Sequence, residues 1–576
     1  MTDAACASTF SAISMAAQEL YLGDSDVVIT GGVDTLNDIF MYMCFSKTPA
    51  LSAKGDVRPF SDEADGTMLG EGVGMVALKR LDDAERDGDR VYAVIKGVGT
   101  SSDGRAKSVY APVSVGQSNA ITRAYERAGF EPHTVELIEA HGTGTKAGDV
   151  AEFGGLKLAF DSENESRTQW CALGSVKSQI GHTKAAAGAA GLFKAVMALH
   201  HKALPPTAKV DRPNPKLQVE SSPFYINAQA RPWIRSADHP RRAGVSSFGF
   251  GGSNFHVAAE EYTGKNPAAR LRTLPFEMVV AVGNDGAEVA TLAETLASRA
   301  TDPGMLQRLA WETQRHYDGT AKARLAVIAA DESELADRLR RAAARIAKSP
   351  AEPFEMPDGT QFGVGAAAGE VAFIFPGQGA QYVNMGAHLA MSFGEALEPW
   401  DASAEIDFGV EERLHDVVFP IPRFSDGDRK ADEQRLRQTE WAQPAIGCTS
   451  LSYLAIMNTL EVSPSAVAGH SFGEVTALHA AGALSLEDYI KVARKRGELM
   501  AAAANAPGAM TAVSEGVGVI DEILKALARE DVVIANHNAP NQAVISGSAE
   551  GVRAVESELK ARKIKFEPLA VSAAFH

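Results

Sequence analysis

Cys6 sits in the stretch DAACAS, among small residues and just ahead of a run with helical apolar spacing. A cysteine at a helix N-terminus gains thiolate character, because the backbone amides and the helix dipole favour negative charge there. Among alanines the same residue also reads as a small buried hydrophobe. Two further stretches bear on that choice. EAHGTGT puts His141 at the end of a strand, in a Gly/Thr loop where a substrate can approach the backbone. VKSQIGHTKAAAG puts Lys177 and His182 at the next strand end, before a helix. Singly, each histidine reads as structural. Two histidines and a cysteine, each at a strand-to-loop junction of one α/β unit, make a candidate active site. SFGFGGSNFH adds Phe248 and Phe250 beside glycines, suited to a mobile apolar gate or to a tight β-turn.

A second candidate lies far along the chain. GHSFG at 469–473 fits the nucleophile elbow G-x-S-x-G, in which a strained strand–helix turn exposes the serine, here Ser471. The strand-like AVAG precedes it and the helical EVTALHAAGAL follows. A serine is a poor nucleophile until a base takes its proton, so a partner is required. Arg496 lies in ARKRGELM beside Arg494 and Lys495, and spacing alone puts it on a solvated helix face.

The elements that must position these groups follow from periodicity. Residues 7–22 read as a helix ending at GDSD, and VVITGG (27–32) as a buried strand. GVGMVALKR and VYAVIKGVGTSS are β-rich runs around an acidic turn near residue 85. Strands in VELIEAHGTGT, CALGSVKSQIGH and FYINAQ then alternate with helices near 115–129, 150–160 and 184–202. The hairpin-like RRAGVSSFGFGGSNFHVAAEE closes this part. Such alternation predicts a mostly parallel sheet covered on both faces, with reactive groups at the carboxyl ends of its strands.

FEMVVAVG and RLAVIAAD read as strands of a separate small fold, with ETLASRA and ELADRLRRAAARI as its helices; SPAEPFEMPDGTQFGVGAAAG reads as linker. From 371, the strand VAFIFPGQG opens a further unit, helices fill much of 383–460, and 508–575 reads β-α-β-β-α-β, the ferredoxin-like order.

Composition narrows the function classes. A chain of 576 residues accommodates three or four domains. The charge of 56 − 73 = −17, without a basic run, argues against a nucleic-acid partner. No apolar stretch nears the ~18 residues of a bilayer span, and no signal peptide is recognisable, so no membrane association is expected. Cys6, Cys44, Cys171 and Cys448 are far apart with no CxxC pair, which speaks against a structural metal or a disulfide framework and for a reducing, cytoplasmic compartment.

DAACAS, EAHGTGT, VKSQIGHTKAAAG and SFGFGGSN resemble, in order and similar spacing, the signature motifs of β-ketoacyl synthases. MYMCFSKTPALS and the form of the cysteine motif are most similar to iterative synthases of polyunsaturated fatty acids and related polyketides. The resemblance implies a thiolase-like ketosynthase over 1–262 with a Cys–His–His site. Cys6 would carry an acyl chain as a thioester. His141 and His182 would promote decarboxylation of a malonyl extender and stabilise the enolate and thioester oxygen, the division between them open. Lys177 would hold the histidine geometry and charge balance, Thr143 and Thr145 would contact the phosphopantetheine arm of a carrier protein, and Phe250 would gate the acyl pocket.

FPGQGAQ, GHSFGE, ARKRGELM, ANHNAPNQAVISG and the terminal VSAAFH resemble the motifs of malonyl-type acyltransferases. That implies an acyltransferase over 371–576, with a hydrolase-like large subdomain (371–505) and a ferredoxin-like small one (506–575), and a linker domain over 263–370. Ser471 would be the acylated nucleophile and His576 its base. The amides of Gln378 and Phe472 would form the oxyanion hole, and Gln443 would line the pocket. Arg496 would grip a free carboxylate, so malonyl-CoA is the implied donor. An acyl carrier protein, in cis or in trans, and a homodimer through the ketosynthase are the implied partners, with no cofactor bound covalently to this chain.

Against complete family domains, the chain is expected to lack the α/β half before the cysteine helix and the segment after His576. It is therefore expected to expose strand edges and apolar surface, to condense nothing alone and to aggregate. Two other readings remain: a serine esterase fused to a thiolase-like protein, and a non-catalytic docking scaffold.

Overall fold

The computed structural model describes residues 1–48, 50–105, 111–161, 167–267, 270, 275–366, 369–503, 508–569, 574 and 576. The chain divides into two units, one of Met1–Arg270 with Ala372–His576 and one of Leu271–Val371. Among the described residues no helix is long and apolar enough to cross a membrane.

In the larger unit, the helix Ser8–Leu22 buries Phe10, Ile13, Ala16 and Leu20, spaced three or four apart along one face. Burying Phe10 and Ile13 contributes about 1.5–3 kcal/mol each. Gly23 ends the helix in the left-handed conformation, its N–H donating to the Leu20 carbonyl while the Asp24 N–H donates to that of Glu19. The helix packs on an antiparallel ribbon of β1 (Val27–Asp34) and β2 (Gly72–Lys79). Alternate residues of the ribbon point away, leaving Ile29 72% and Val73 67% exposed, with Val33 and Met75 beside them.

A six-stranded sheet forms the centre. It contains β3 (Val94–Ser102), β4 (Leu137–Glu139), β5 (Cys171–Gly174), β7 (Phe224–Ile226), β9 (Arg242–Gly249) and β10 (Ser253–Glu260), in the order β3-β10-β9-β4-β5-β7. A short pair, β6 (Ala203–Leu204) and β8 (Arg231–Pro232), lies apart from it. Strands β9, β4, β5 and β7 are mutually parallel, whereas β10 and β3 pair antiparallel at one edge. The sheet is mostly parallel, as expected, with β10 alone running against the other five strands. The β9–β10 hairpin reverses the chain too tightly for a crossover helix, so its strands must run antiparallel. Because β4, β5 and β9 are parallel, the loops after Glu139, Gly174 and Gly249 all leave at the same edge.

The smaller unit is an antiparallel sheet of β11 (Glu277–Gly283), β12 (Ala323–Ala329), β13 (Phe354–Glu355) and β14 (Gln361–Val364), in the order β11-β12-β14-β13. Helices Gly286–Arg299, Met305–Arg315 and Glu332–Lys348 bury Val289, Leu309, Leu339 and Ile346 with it. Asp285 and Asp331 cap two of these helices. The supposed linker at 349–369 contributes β13 and β14. Phe362 is buried, Gly359 takes the left-handed turn position, and β14 pairs with β12.

In the C-terminal part of the larger unit, β15 (Ala372–Phe375) pairs parallel with β16 (Ala466–Gly469), which runs into the helix Gly473–Ala480. The last strands, β17 (Gly508–Val513), β18 (Val532–Ala539), β19 (Gln542–Ser548) and β20 (Phe566–Pro568), are antiparallel in the order β18-β19-β17-β20. That order, with helices Val517–Ala526 and Ala549–Ala561, is the ferredoxin-like arrangement expected.

Within the larger unit, one buried cation joins the two sequence segments. Arg241 has no exposed surface; it donates to Glu261 at 2.8 Å, to both oxygens of Asp401 at 2.7 and 2.8 Å, and to the Trp233 carbonyl at 2.6 Å. Arg241→Ala strips the part-buried Asp401 of its counter-charge and leaves buried Glu261 only the Lys202 ammonium, 3.5 Å away. It is expected to lower stability by about 3–5 kcal/mol. A urea midpoint within error of the parent would contradict that.

Candidate active sites

The first site assembles where the three parallel strands end. Glu139, the last residue of β4, turns its side chain back to accept from the Val176 amide at 2.6 Å and pairs with Lys194 at 2.9 Å. In the following loop, Glu152 accepts from the amides of His141 and Gly142, each at 2.7 Å. Asp149 accepts from Phe60 and Gly144 at 2.7 and 3.0 Å. All three carboxylates are buried; burial pushes Asp149 and Glu152 up to about 7 despite those amides.

Cys6 lies two residues before the helix Ser8–Leu22, after Ala5, whose φ of +51° is a strained left-handed value. Ser247 of β9 donates to the Cys6 carbonyl at 2.7 Å. A Cβ on Gly249 would lie 2.3 Å from the Ala4 carbonyl, so only glycine lets β9 approach the cysteine loop this closely. The Cys6 sulfur and one ring nitrogen each of His141 and His182 lie within 4.8 Å of one another, all buried. The imidazole rings meet edge to face at 5.3 Å, and Phe248 stands 5.7 Å from His141.

The helix N-terminus does not decide the ionisation of Cys6. Burial pushes the thiol above its ordinary range; the Lys177 cation and the amides of Phe250 and Cys6 pull it back only in part. Burial, then Lys177 and His182, holds His141 well below the usual imidazole range, and burial with Lys177 and Lys184 does the same to His182. Burial lowers Lys177 itself, against Glu139, Glu152, Cys6 and Asp149. The site therefore rests as a thiol beside two neutral imidazoles. His182 Nδ1 accepts from the Lys184 amide at 3.0 Å, whereas His141 Nδ1 is buried without a hydrogen-bond partner among the described residues.

A cavity of about 270 Å³ opens on this cluster, lined by Cys6, His141, His182, Phe248 and Phe250. Thr143 and Thr145 share its wall, their hydroxyls 2.9 Å apart, and Thr145 also caps the helix Lys146–Phe160. Phe250 is 44% exposed, with its ring 6.1 Å from Phe45.

The second site forms on the β16 elbow. Ser471 has a φ of +53°, and a Cβ on Gly473 would sit 2.1 Å from the Phe375 carbonyl, so the turn closes only with glycine there. Ser471 Oγ lies 2.7 Å from His576 Nε2. Burial, then Arg496, lowers His576, with Glu474 opposing; the imidazole is neutral near pH 7 and suited to accept the serine proton. Of the three basic residues near 495, Arg494 and Lys495 pair with Glu498. Arg496 instead is half-buried and donates to Gln443 Oε1 at 2.8 Å. This differs from the solvated face that spacing predicts. Gln378 is bonded through its side chain to Thr439 at 3.3 Å, its neighbour Gly377 abuts Ser471, and Phe472 is buried.

Sequence reasoning missed the supporting carboxylates. Asp149 and Glu152 stand three apart on the inward face of their helix, a charged pair where apolar residues belong, and that misfit was the available signal. Lys184, buried beside His182, was missed as well.

Family profiles match the chain in consecutive blocks: the β-ketoacyl synthase N-terminal domain over 1–84, its C-terminal domain over 92–211, the ketoacyl-synthetase C-terminal extension over 213–325, and the acyl transferase domain over 372–576. The chain is a ketosynthase–acyltransferase region whose ketosynthase part is α/β. Proteins similar to it over its whole length are type I polyketide and polyunsaturated fatty acid synthases, of each of which it spans less than a third. It is 37% identical over its whole length to a polyunsaturated fatty acid synthase of Thraustochytrium sp., spanning 21% of that protein. It is 34% identical to the mycoketide-CoA synthase of Mycobacterium tuberculosis, again over its whole length and 13% of that protein. The ketosynthase from module 6 of the Bacillus subtilis 168 bacillaene synthase is 33% identical, with 62% of this chain and 61% of that one covered at a TM-score of 0.44.

Because the Lys177 cation opposes the burial of the thiol, Lys177→Met should raise the Cys6 pKa further. Alkylation of the Cys6 peptide by iodoacetamide at pH 8, followed by mass spectrometry, is expected to slow about tenfold. An unchanged or faster rate would show that Lys177 does not stabilise the thiolate.

Proposed function

We propose that this chain carries two acyl-transfer centres of a larger synthase: decarboxylative condensation at Cys6 and malonyl loading at Ser471. One observation carries the first: the convergence of the Cys6, His141 and His182 donor atoms within 4.8 Å on one cavity.

At that centre the Cys6 sulfur attacks an acyl thioester. An S–C bond forms, the carrier thiol leaves, and the thiol proton passes through a neutral imidazole to the departing sulfur. The amides of Cys6 and Phe250 already act on the sulfur and are suited to hold the carbonyl oxygen. A malonyl thioester then loses carbon dioxide, and the resulting enolate, held by His141 and His182, attacks the Cys6 thioester and releases the cysteine. Burial, seconded by Lys177, keeps both imidazoles neutral, as donors rather than cations. The phosphopantetheine arm of a carrier protein, when bound, supplies the thioester sulfur for these steps. The paired hydroxyls of Thr143 and Thr145 on an otherwise largely apolar wall fit its amides, and Phe250 closes the pocket over the acyl chain.

At the second centre Ser471 attacks malonyl-CoA, His576 takes its proton and returns it to the leaving thiolate, and a carrier thiol then receives the malonyl group. The amides of Gln378 and Phe472 hold the oxyanion. Arg496, positioned by Gln443, takes the free carboxylate. The carrier protein is the expected partner, the ketosynthase part the expected dimer surface, and the cytoplasm the expected compartment.

Incubation with radiolabelled malonyl-CoA is expected to leave stable label on the protein, absent in Ser471→Ala. In Arg496→Ala, kcat/KM for loading should fall about 10–100-fold, the value of a charge-assisted hydrogen bond. Release of free malonate without retained label would favour a serine esterase instead.

A further inference from the structure

Two residues after His182 in the chain lies a buried lysine that neither centre uses. Lys184 is 6% exposed, and a lysine this deep requires partners. Its ammonium donates to Asn37 Oδ1 at 2.6 Å and to the Gly70 carbonyl at 2.9 Å, and stands 3.1 Å from Asp34 Oδ1. Asp34 closes β1, Asn37 follows it, and Gly70 lies just ahead of β2. The segment before β2 also grips His182 by its backbone: the His182 N–H donates to the Met68 carbonyl at 2.7 Å, and the Gly70 N–H donates to the His182 carbonyl at 2.9 Å.

Lys184 also has a φ of +48°, a left-handed value that costs a residue with a Cβ on the order of 1–3 kcal/mol. That conformation aims its own amide at His182 Nδ1, 3.0 Å away. An amide N–H can only donate, so Nδ1 carries no proton and a neutral His182 must carry it on Nε2.

We propose that Lys184 is a positioning residue for His182, its anchored side chain holding the strained backbone so that its amide fixes the imidazole as the Nε2–H tautomer. Freed of the Asp34–Asn37–Gly70 anchor, residue 184 relaxes toward an unstrained conformation, the amide leaves Nδ1, and both tautomers become populated. The inference rests on His182 being a working imidazole of the condensing centre, where a fixed N–H is a ready donor to the enolate oxygen.

The test combines nitrogen-15 spectra of histidine-labelled protein with decarboxylation of malonyl-N-acetylcysteamine. In the parent chain His182 should show one unprotonated Nδ1 and one protonated Nε2. Lys184→Met should mix the tautomers and lower the decarboxylation rate about tenfold or more, while iodoacetamide still alkylates Cys6 within about twofold of the parent rate. Lys184→Gly, which adopts the left-handed backbone without strain, should keep more of the parent tautomer than Lys184→Met. If Lys184→Met does not fold, Asp34→Asn weakens the same anchor and takes its place. A parent tautomer retained in Lys184→Met would overturn the inference, as would a Lys184→Gly protein mixed as fully as Lys184→Met. Equal decarboxylation by the parent and His182→Ala would instead overturn the role of His182, leaving the tautomer measurement to decide on Lys184.

Discussion

Backbone amides clamped by buried carboxylates are the constraint on which the condensing centre depends. Glu152 holds two consecutive amides of the His141 loop, Asp149 holds Gly144 in that loop and Phe60 in another segment, and Glu139 holds the turn into Lys177. In a low-dielectric interior each such bond is strong when made and costly when lost. Lys177 and Lys194 supply the compensating positive charge. The parallel pairing of β4, β5 and β9 brings the loops to one edge, and the carboxylates then fix where within it each side chain stands.

Burial sets the chemistry of that centre more than the helix dipole does. A dipole of about half a charge at one helix end is worth roughly a kcal/mol. Excluding water from a thiol and two imidazoles outweighs it, so all three rest uncharged. The serine centre follows a different plan. Ser471 stands on a strained elbow with its histidine 2.7 Å away, and its alignment comes from glycines that let strand and helix approach. The two centres share the larger unit, where Arg241 joins their sequence segments through Asp401.

Much of this was legible in the sequence because chemistry and backbone coincide there. Cys6, His141, His182 and Ser471 all occupy strand or helix junctions, and the last three have glycines as close neighbours, whereas Cys6 follows the left-handed Ala5. The β-α-β-β-α-β order of the last unit could be read because its apolar periods switch cleanly between two and 3.6. Asp149 and Glu152 showed only as a misfit on an apolar helix face, and their roles, like that of Lys184, were illegible for the opposite reason. Their partners lie elsewhere in the chain or are backbone amides, which no spacing reveals. The reversed direction of β10 was legible as a hairpin-like run, whereas its pairing with β3 was hidden because period alone names no partner strand, and β14 because a Gly-rich stretch masks one inward Phe362.

The most direct measurement is peptide mapping by mass spectrometry after joint incubation with a saturated acyl thioester and malonyl-CoA. The account predicts the saturated acyl mass on the Cys6 peptide and the malonyl mass on the Ser471 peptide. Malonyl on Cys6, or neither peptide modified while both side chains remain reactive toward small electrophiles, would contradict it.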